Sequence, residues 1–105
     1  MGIEYSARFD DEGWYLENRF RIVERIEALE SFVRREERDE EFWLKEANTG
    51  DWPYDVRVFV LSRGLSVEVS SFSKAFTNDV VSLLSWIGQQ TTVELVDDDG
   101  IPLAY

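Results

Sequence analysis

The 105-residue chain contains no cysteine and no histidine. Without cysteine there are no disulfides, zinc knuckles, iron–sulfur ligands or thiol nucleophiles. Without histidine the commonest general base and the commonest transition-metal ligand are missing, and with them the Ser–His–Asp triad and the Cys–His dyad. A serine nucleophile would have to rely on one of only two lysines, Lys45 and Lys74. No phosphate-binding glycine loop and no H-E-x-x-H is present. Long apolar runs are absent as well: the longest is Val58 to Leu61, far short of a membrane span. No basic region leads into an apolar stretch near Met1, so a cytoplasmic protein is expected. These absences lead us to expect a protein that is not an enzyme and uses no cofactor and no metal.

What is present is acid and aromatic. Eleven Lys and Arg stand against 22 Asp and Glu, a formal charge of −11, and 14% of residues are aromatic. The apolar content is too high for a disordered chain, and the length suits one domain, 1–105, with its own core. Most arginines are interleaved with glutamates, so no basic stripe exists to neutralise phosphates. The charge therefore argues against nucleic acid and against anionic membranes. A large negative field instead favours a basic protein partner and speeds its arrival.

Hydrophobic spacing suggests the elements. Ile3, Tyr5, Ala7 and Phe9 alternate with polar residues, which predicts a half-buried strand. From about Tyr15 to Arg38 the period lengthens. Leu16, Phe20, Val23, Ile26 or Ala28, Leu29 and Val33 recur at helical spacing, which predicts one long amphipathic helix with that stripe inward. Phe42-Trp43-Leu44 is a short apolar patch, readable as an extra strand or a helical turn. Val56, Val58 and Val60, then Leu65, Val67 and Val69, predict a hairpin turning at 62–64. A helix follows from Ser73, its apolar face formed by Phe76, Val80, Leu83, Leu84 and Ile87, with Gly88 as its stop. Thr91 to Val96 reads as a final strand, and Pro102 confines the tail to an edge.

The order β-α-β-β-α-β is that of a ferredoxin-like α+β sandwich. Two helices would lie on one face of a four-stranded antiparallel sheet, with an insertion before strand 2 and an optional C-terminal edge strand. The alternative is another α+β sandwich in which residues 42–46 form a true extra strand. An RNA-binding sheet of this class needs a basic, aromatic strand motif, and Ser66-Val67-Glu68-Val69 does not supply it.

Two acidic clusters stand out. Asp97-Asp98-Asp99-Gly100 lacks the alternating ligands and distal glutamate of a calcium loop and reads as a hairpin turn. Glu36, Glu37, Asp39, Glu40 and Glu41 would fall at the end of the long helix, where carboxylates oppose the macrodipole. That misfit favours a docking role, and aromatics follow it closely. Trp14 and Trp86 are expected in the core. Asp39, Glu40, Glu41, Trp43, Asp51, Trp52, Tyr54 and Asp55 are the expected partner-binding residues, because interfaces combine aromatic anchors with a charged rim.

Short, acidic, aromatic-rich and poor in catalytic residues, the chain resembles in outline the bacterial immunity proteins. The resemblance implies an inhibitor that occupies the basic cleft of a cognate toxin or enzyme, such as a nuclease. The competing expectation is a non-catalytic ligand-sensing or homo-oligomeric ferredoxin-like module, for which a stable homodimer would be the sign.

Overall fold

The computed structural model describes residues 2–36, 40–46 and 53–103. The elements are β1 (Ile3–Phe9), α1 (Glu12–Glu27), β2 (Phe32–Arg35), β3 (Glu41–Leu44), β4 (Val56–Val60), β5 (Leu65–Val69), α2 (Val81–Gly88) and β6 (Val93–Val96). A π-helical segment, Ala75–Val80, runs directly into α2. The strands form one six-stranded sheet in the order β2-β3-β4-β5-β1-β6, with antiparallel pairing throughout. The fold is α+β, but the sheet is broader than the expected four strands and its order differs. Residues 41–44 are a true strand and pair with both β2 and β4.

Alternation decides which side is buried. Tyr5, Phe42, Leu44, Val56, Val58, Val60, Leu65, Val67, Val69 and Leu95 all point to the same side of the sheet and are buried. Ile22 and Ile26 of α1, and Leu83, Leu84 and Ile87 of α2, complete that core. Trp14 and Trp86 only border it, half-buried, with rings 6.2 Å apart. Arg21 and Arg25 lie over the Trp86 ring, 5.5 and 4.5 Å from its centre.

Helix α1 departs from the expectation at both ends. It starts at Glu12, where the Asp11 carboxylate accepts the Trp14 N–H at 3.1 Å as an N-cap. It stops at Glu27, so residues 28–38 do not continue the expected helix among the described residues. Phe32 and Val33, with their strand preference, pair instead with the Phe42-Trp43-Leu44 strand, and tertiary pairing outweighs the helix propensity of the Glu/Arg run. Of the acidic cluster, Glu36 and Glu40 lie between β2 and β3 and Glu41 opens β3, so among the described residues no helix end is present there and the macrodipole argument lapses. The buried stripe is also different. Of the expected residues Ile26 is buried and Val23 half-buried, but Tyr15 and Ile22 complete the buried face, whereas Leu16 and Phe20 are 58% and 69% exposed. Gly88 is the last residue of α2 and not the residue beyond it; Gln89, with φ −76°, is the C-cap. A positive φ occurs instead at Gly100 (77°), in the turn after β6. There the Asp97 carboxylate accepts the N–H groups of Asp99 and Ile101.

One polar side chain ties the layers together. The Tyr15 hydroxyl reaches the carbonyls of Leu61 and Gly64, at 2.6 and 2.8 Å, and so fastens α1 to the β4–β5 turn. Burial pushes the Tyr15 phenol up to about 12; the nearby Arg19 charge opposes the shift and Glu40 adds to it. The folded state thus prefers the neutral phenol more than the unfolded chain does. That contribution is complete below pH ~10 and is lost as pH rises toward ~12. Urea titrations at stepped alkaline pH should show a loss of about 2–3 kcal/mol across this window. Tyr15→Phe should remove that step, and an unchanged step in the variant would assign it to another group.

Candidate functional site

Both helices cover one face of the sheet, and no described element covers the other. Register places two cross-strand rows on that open face. Arg34, Trp43, Arg57, Glu68 and Glu4 stand opposite one another in turn across β2, β3, β4, β5 and β1. Beside them run Glu41, Phe59, Ser66, Ser6 and Val96. Period-two alternation in strands that bury Val and Leu on one side necessarily presents this second set on the other.

Arg57 is the hub of the face. Its guanidinium meets Glu68 at 2.6 Å and Glu41 at 3.3 Å, and lies over the rings of Tyr54 and Phe59, 4.8 and 5.5 Å from their centres. Burial works against its charge, but the hydrogen bond and charge of Glu68, helped by Glu41, hold its pKa above the ordinary arginine value. The Trp43 indole N–H donates to Glu41 at 2.6 Å, its ring packs 5.0 Å from Tyr54, and Arg34 lies 5.0 Å over it. The aromatics are thereby held in fixed orientations by charged neighbours, which lowers the entropy cost of using them as contacts.

The cations of this face are engaged: Arg8 with Glu94, Arg34 with Glu36, Arg57 with Glu41 and Glu68. Glu4, by contrast, stands directly opposite Glu68 and has no ion pair among the described residues. Like charges face to face across a strand pair are unfavourable. Glu4, Glu68 and Asp98 line one small cleft of about 240 Å³ with Phe59 and Leu61. It continues past Phe59 and Leu61 into a second cleft of about 620 Å³ bounded by Trp43, Glu36, Glu40 and Glu41. Glu40 in turn borders a groove of about 610 Å³ against α1, where Leu16 and Phe20 are exposed beside the half-buried Val23. Phe59 and Leu61 thus join the first two clefts, and Glu40 joins the second to the α1 groove.

Of the residues singled out from the sequence, Glu40, Glu41, Trp43 and Tyr54 are brought together here. Asp39, Asp51 and Trp52 lie outside the described residues. Asp55 does not belong to this surface: it is 2% exposed. Its carboxylate accepts the Glu46 N–H and the Ser73 hydroxyl, both at 2.8 Å, and its carbonyl accepts the N–H groups of Ser70 and Ser71. An acid beside aromatics gave no local sign that it was an internal junction. Arg57, Phe59, Glu68 and Glu4 went unnoticed because they alternate with core positions; the signal was their polarity or bulk on the non-core phase. Leu16 and Phe20 were assigned to the core, and their exposure emerges only from the stripe that α1 buries.

Among the described residues no cluster of three His, Cys, Asp or Glu side chains is placed to hold a metal ion, and no helix is long and apolar enough to cross a membrane. Comparison of the chain with family models, with curated proteins and with solved structures finds no match.

Proposed function

We propose that this chain is a small acidic inhibitor, of the immunity-protein kind, that docks its open sheet face on a basic protein partner and occludes that partner's cleft. The observation that supports this most is a continuous uncovered surface combining orientated aromatics, Trp43, Tyr54 and Phe59, with carboxylates that exceed their cationic neighbours. Interface anchors are enriched in such aromatics, and rim charge sets association rate and partner choice. A lysine or arginine of the partner would enter the cleft of Glu4, Glu68 and Asp98 beside the Phe59 ring, relieving the Glu4–Glu68 opposition and gaining a cation–π contact. Leu16 and Phe20 of α1 add a second apolar contact, reached past Glu40. In this reading the partner's cationic groups, which otherwise hold its own acidic substrate, are taken up by carboxylates.

On the same reading the chain is a ferredoxin-like β-α-β-β-α-β unit made of β1, α1, β4, β5, α2 and β6. The β2–β3 hairpin is the insertion before strand 2. Its support is that β4, β5, β1 and β6 lie consecutively in the sheet.

The test is capture with the intact chain as bait, followed by purification of the captured protein. That protein should be basic and should lose its own activity at one equivalent of this chain. Its association rate should fall steeply between low and high salt. Glu4→Gln with Asp98→Asn should slow association at low salt, and the difference should close at high salt. An acidic partner, a salt-independent rate, or a partner fully active when bound would each contradict the proposal. A stable homodimer burying this face would favour the oligomeric-module reading instead.

Leu16→Ser and Phe20→Ser bear on the α1 stripe. Both side chains are mostly exposed, so stability should stay within about 0.5 kcal/mol of wild type. Partner affinity should nonetheless fall several-fold. Unchanged affinity in both variants would confine the interface to the sheet face.

A further inference from the structure

Glu68 is engaged through one oxygen only. Arg57 donates to it twice, from Nε at 3.2 Å and from Nη2 at 2.6 Å, and both bonds end on Oε1. The other oxygen accepts from no donor among the described residues. Glu4 stands directly opposite on β1, one strand spacing of about 4.8 Å away. The carboxylates of Glu4 and Asp98 have no hydrogen-bond or ion-pair partner among the described residues. These three acids and the Phe59 ring border the cleft of about 240 Å³. Small-molecule sites run to about 300–1,000 Å³, so this one suits a single side chain reaching in from another molecule. We propose that the cleft is an arginine pocket. Within the docking reading, on which this rests, the residue that the partner inserts is an arginine and not a lysine.

Arg57 supplies the precedent on the same residues. Its guanidinium bonds Glu68 and lies 5.5 Å from the centre of the Phe59 ring. A carboxylate and a ring of this cleft therefore already hold one guanidinium between them. To a second, the cleft offers the unused oxygen of Glu68 and the carboxylates of Glu4 and Asp98. Guanidinium carries five donors in a fixed fork and can bond two carboxylates at once, whereas an ammonium is a compact point charge with three.

Hydration favours the same choice. The Glu68 side chain is only 16% exposed, so an incoming cation gives up water to reach it. An ammonium is the more strongly hydrated of the two, and guanidinium also stacks on aromatic faces. The like charge of Arg57 does not bar entry. Glu41, Glu68, Glu4 and Asp98 outnumber it, and the neighbourhood stays anionic with Arg57 in place.

Two probes test this on the intact chain without the partner. N-acetyl-L-arginine methylamide and N-acetyl-L-lysine methylamide have neutral ends and differ only in the side chain that carries their single charge. Each is titrated into the tens of millimolar at matched ionic strength while amide resonances are followed by NMR. The arginine probe should shift Glu4, Ser6, Ser66 and Glu68 and saturate in the millimolar range. The lysine probe should bind about fivefold more weakly. Phe59→Leu should erase the difference between the probes and leave the weaker response, which a purely electrostatic site would not do. Glu4→Gln with Asp98→Asn should remove most of the response to both. Those two residues are exposed, so the double variant should fold as wild type, and it decides should Phe59→Leu not fold. Equal affinity for the two probes, no saturable shift, shifts centred on other residues, or an unchanged response in the double variant would overturn the proposal. Failure of the docking reading looks different: an acidic captured partner would leave the probe result standing, whereas equal binding of the probes would leave a docking face that accepts lysine as well.

Discussion

Asp55→Ala is expected to destabilise the fold by about 3–4 kcal/mol, because it strands buried donors rather than deleting an exposed charge. The Asp55 carboxylate joins the end of β3 to the start of the second helical region, through the Glu46 N–H and the Ser73 hydroxyl. The backbone of the same residue bonds Leu44 on one side and Ser70 and Ser71 on the other. Hydrogen bonds to an ionised group are worth about 1.5–3 kcal/mol each, and an orphaned partner adds its desolvation penalty. A small domain holds only about 5–15 kcal/mol in total, so the variant should unfold at a much lower urea concentration. Tryptophan fluorescence during urea unfolding measures this directly. Asp55→Asn, which keeps an acceptor oxygen, should lose roughly half as much. Wild-type unfolding by Asp55→Ala would remove the junction from the account.

The second large effect is on binding. Trp43→Ala should weaken the complex with the basic partner by about 2–4 kcal/mol, a fall of roughly 30- to 1,000-fold, chiefly through faster dissociation. Its indole is half-buried on the open face, held by Glu41, Tyr54 and Arg34. It lies outside the core cluster, so folding should lose no more than about 1 kcal/mol. Phe72→Ser is the control. Phe72 is 49% exposed and packs edge-on against Phe76, away from the docking surface. It should leave affinity unchanged. Equal losses in both variants would point to general destabilisation in place of a local contact.

The strands β1, β4 and β5 were legible because each buries one face, and period-two alternation is then enforced along the chain. The helical region after β5 was legible for the same reason at a different period. Helix α1 was half-legible. It carries two apolar stripes, Leu16–Phe20–Val23 and Tyr15–Ile22–Ile26, one residue out of phase, and amphipathicity alone does not choose between them. Tertiary structure chooses the second because the Tyr15 hydroxyl finds the carbonyls of the β4–β5 turn. The end of α1 was not legible. No glycine or proline marks it, and the stop comes from strand pairing between β2 and β3, distant in neither sequence nor space but invisible to helix periodicity.

The site divides along similar lines. Trp43, Tyr54, Glu40 and Glu41 were found by composition, as aromatics next to acids. Arg57 and Phe59 alternate with the buried valines of β4, and only register shows them beside Trp43 and Glu41. Asp55 was chosen by the same compositional rule and sits in the interior, since local sequence does not report which acids have N–H groups waiting for them.

Oxidative footprinting of side chains in the purified complex, read by mass spectrometry, tests the docking face most directly. Binding through the open sheet should protect Trp43, Tyr54 and Phe59 several-fold, with Leu16 and Phe20 protected as the α1 extension, while Phe72 and Trp86 oxidise as in the free chain. Trp43 and Phe59 oxidising at the free-chain rate, with protection falling on Phe72 or Trp86, would contradict the account.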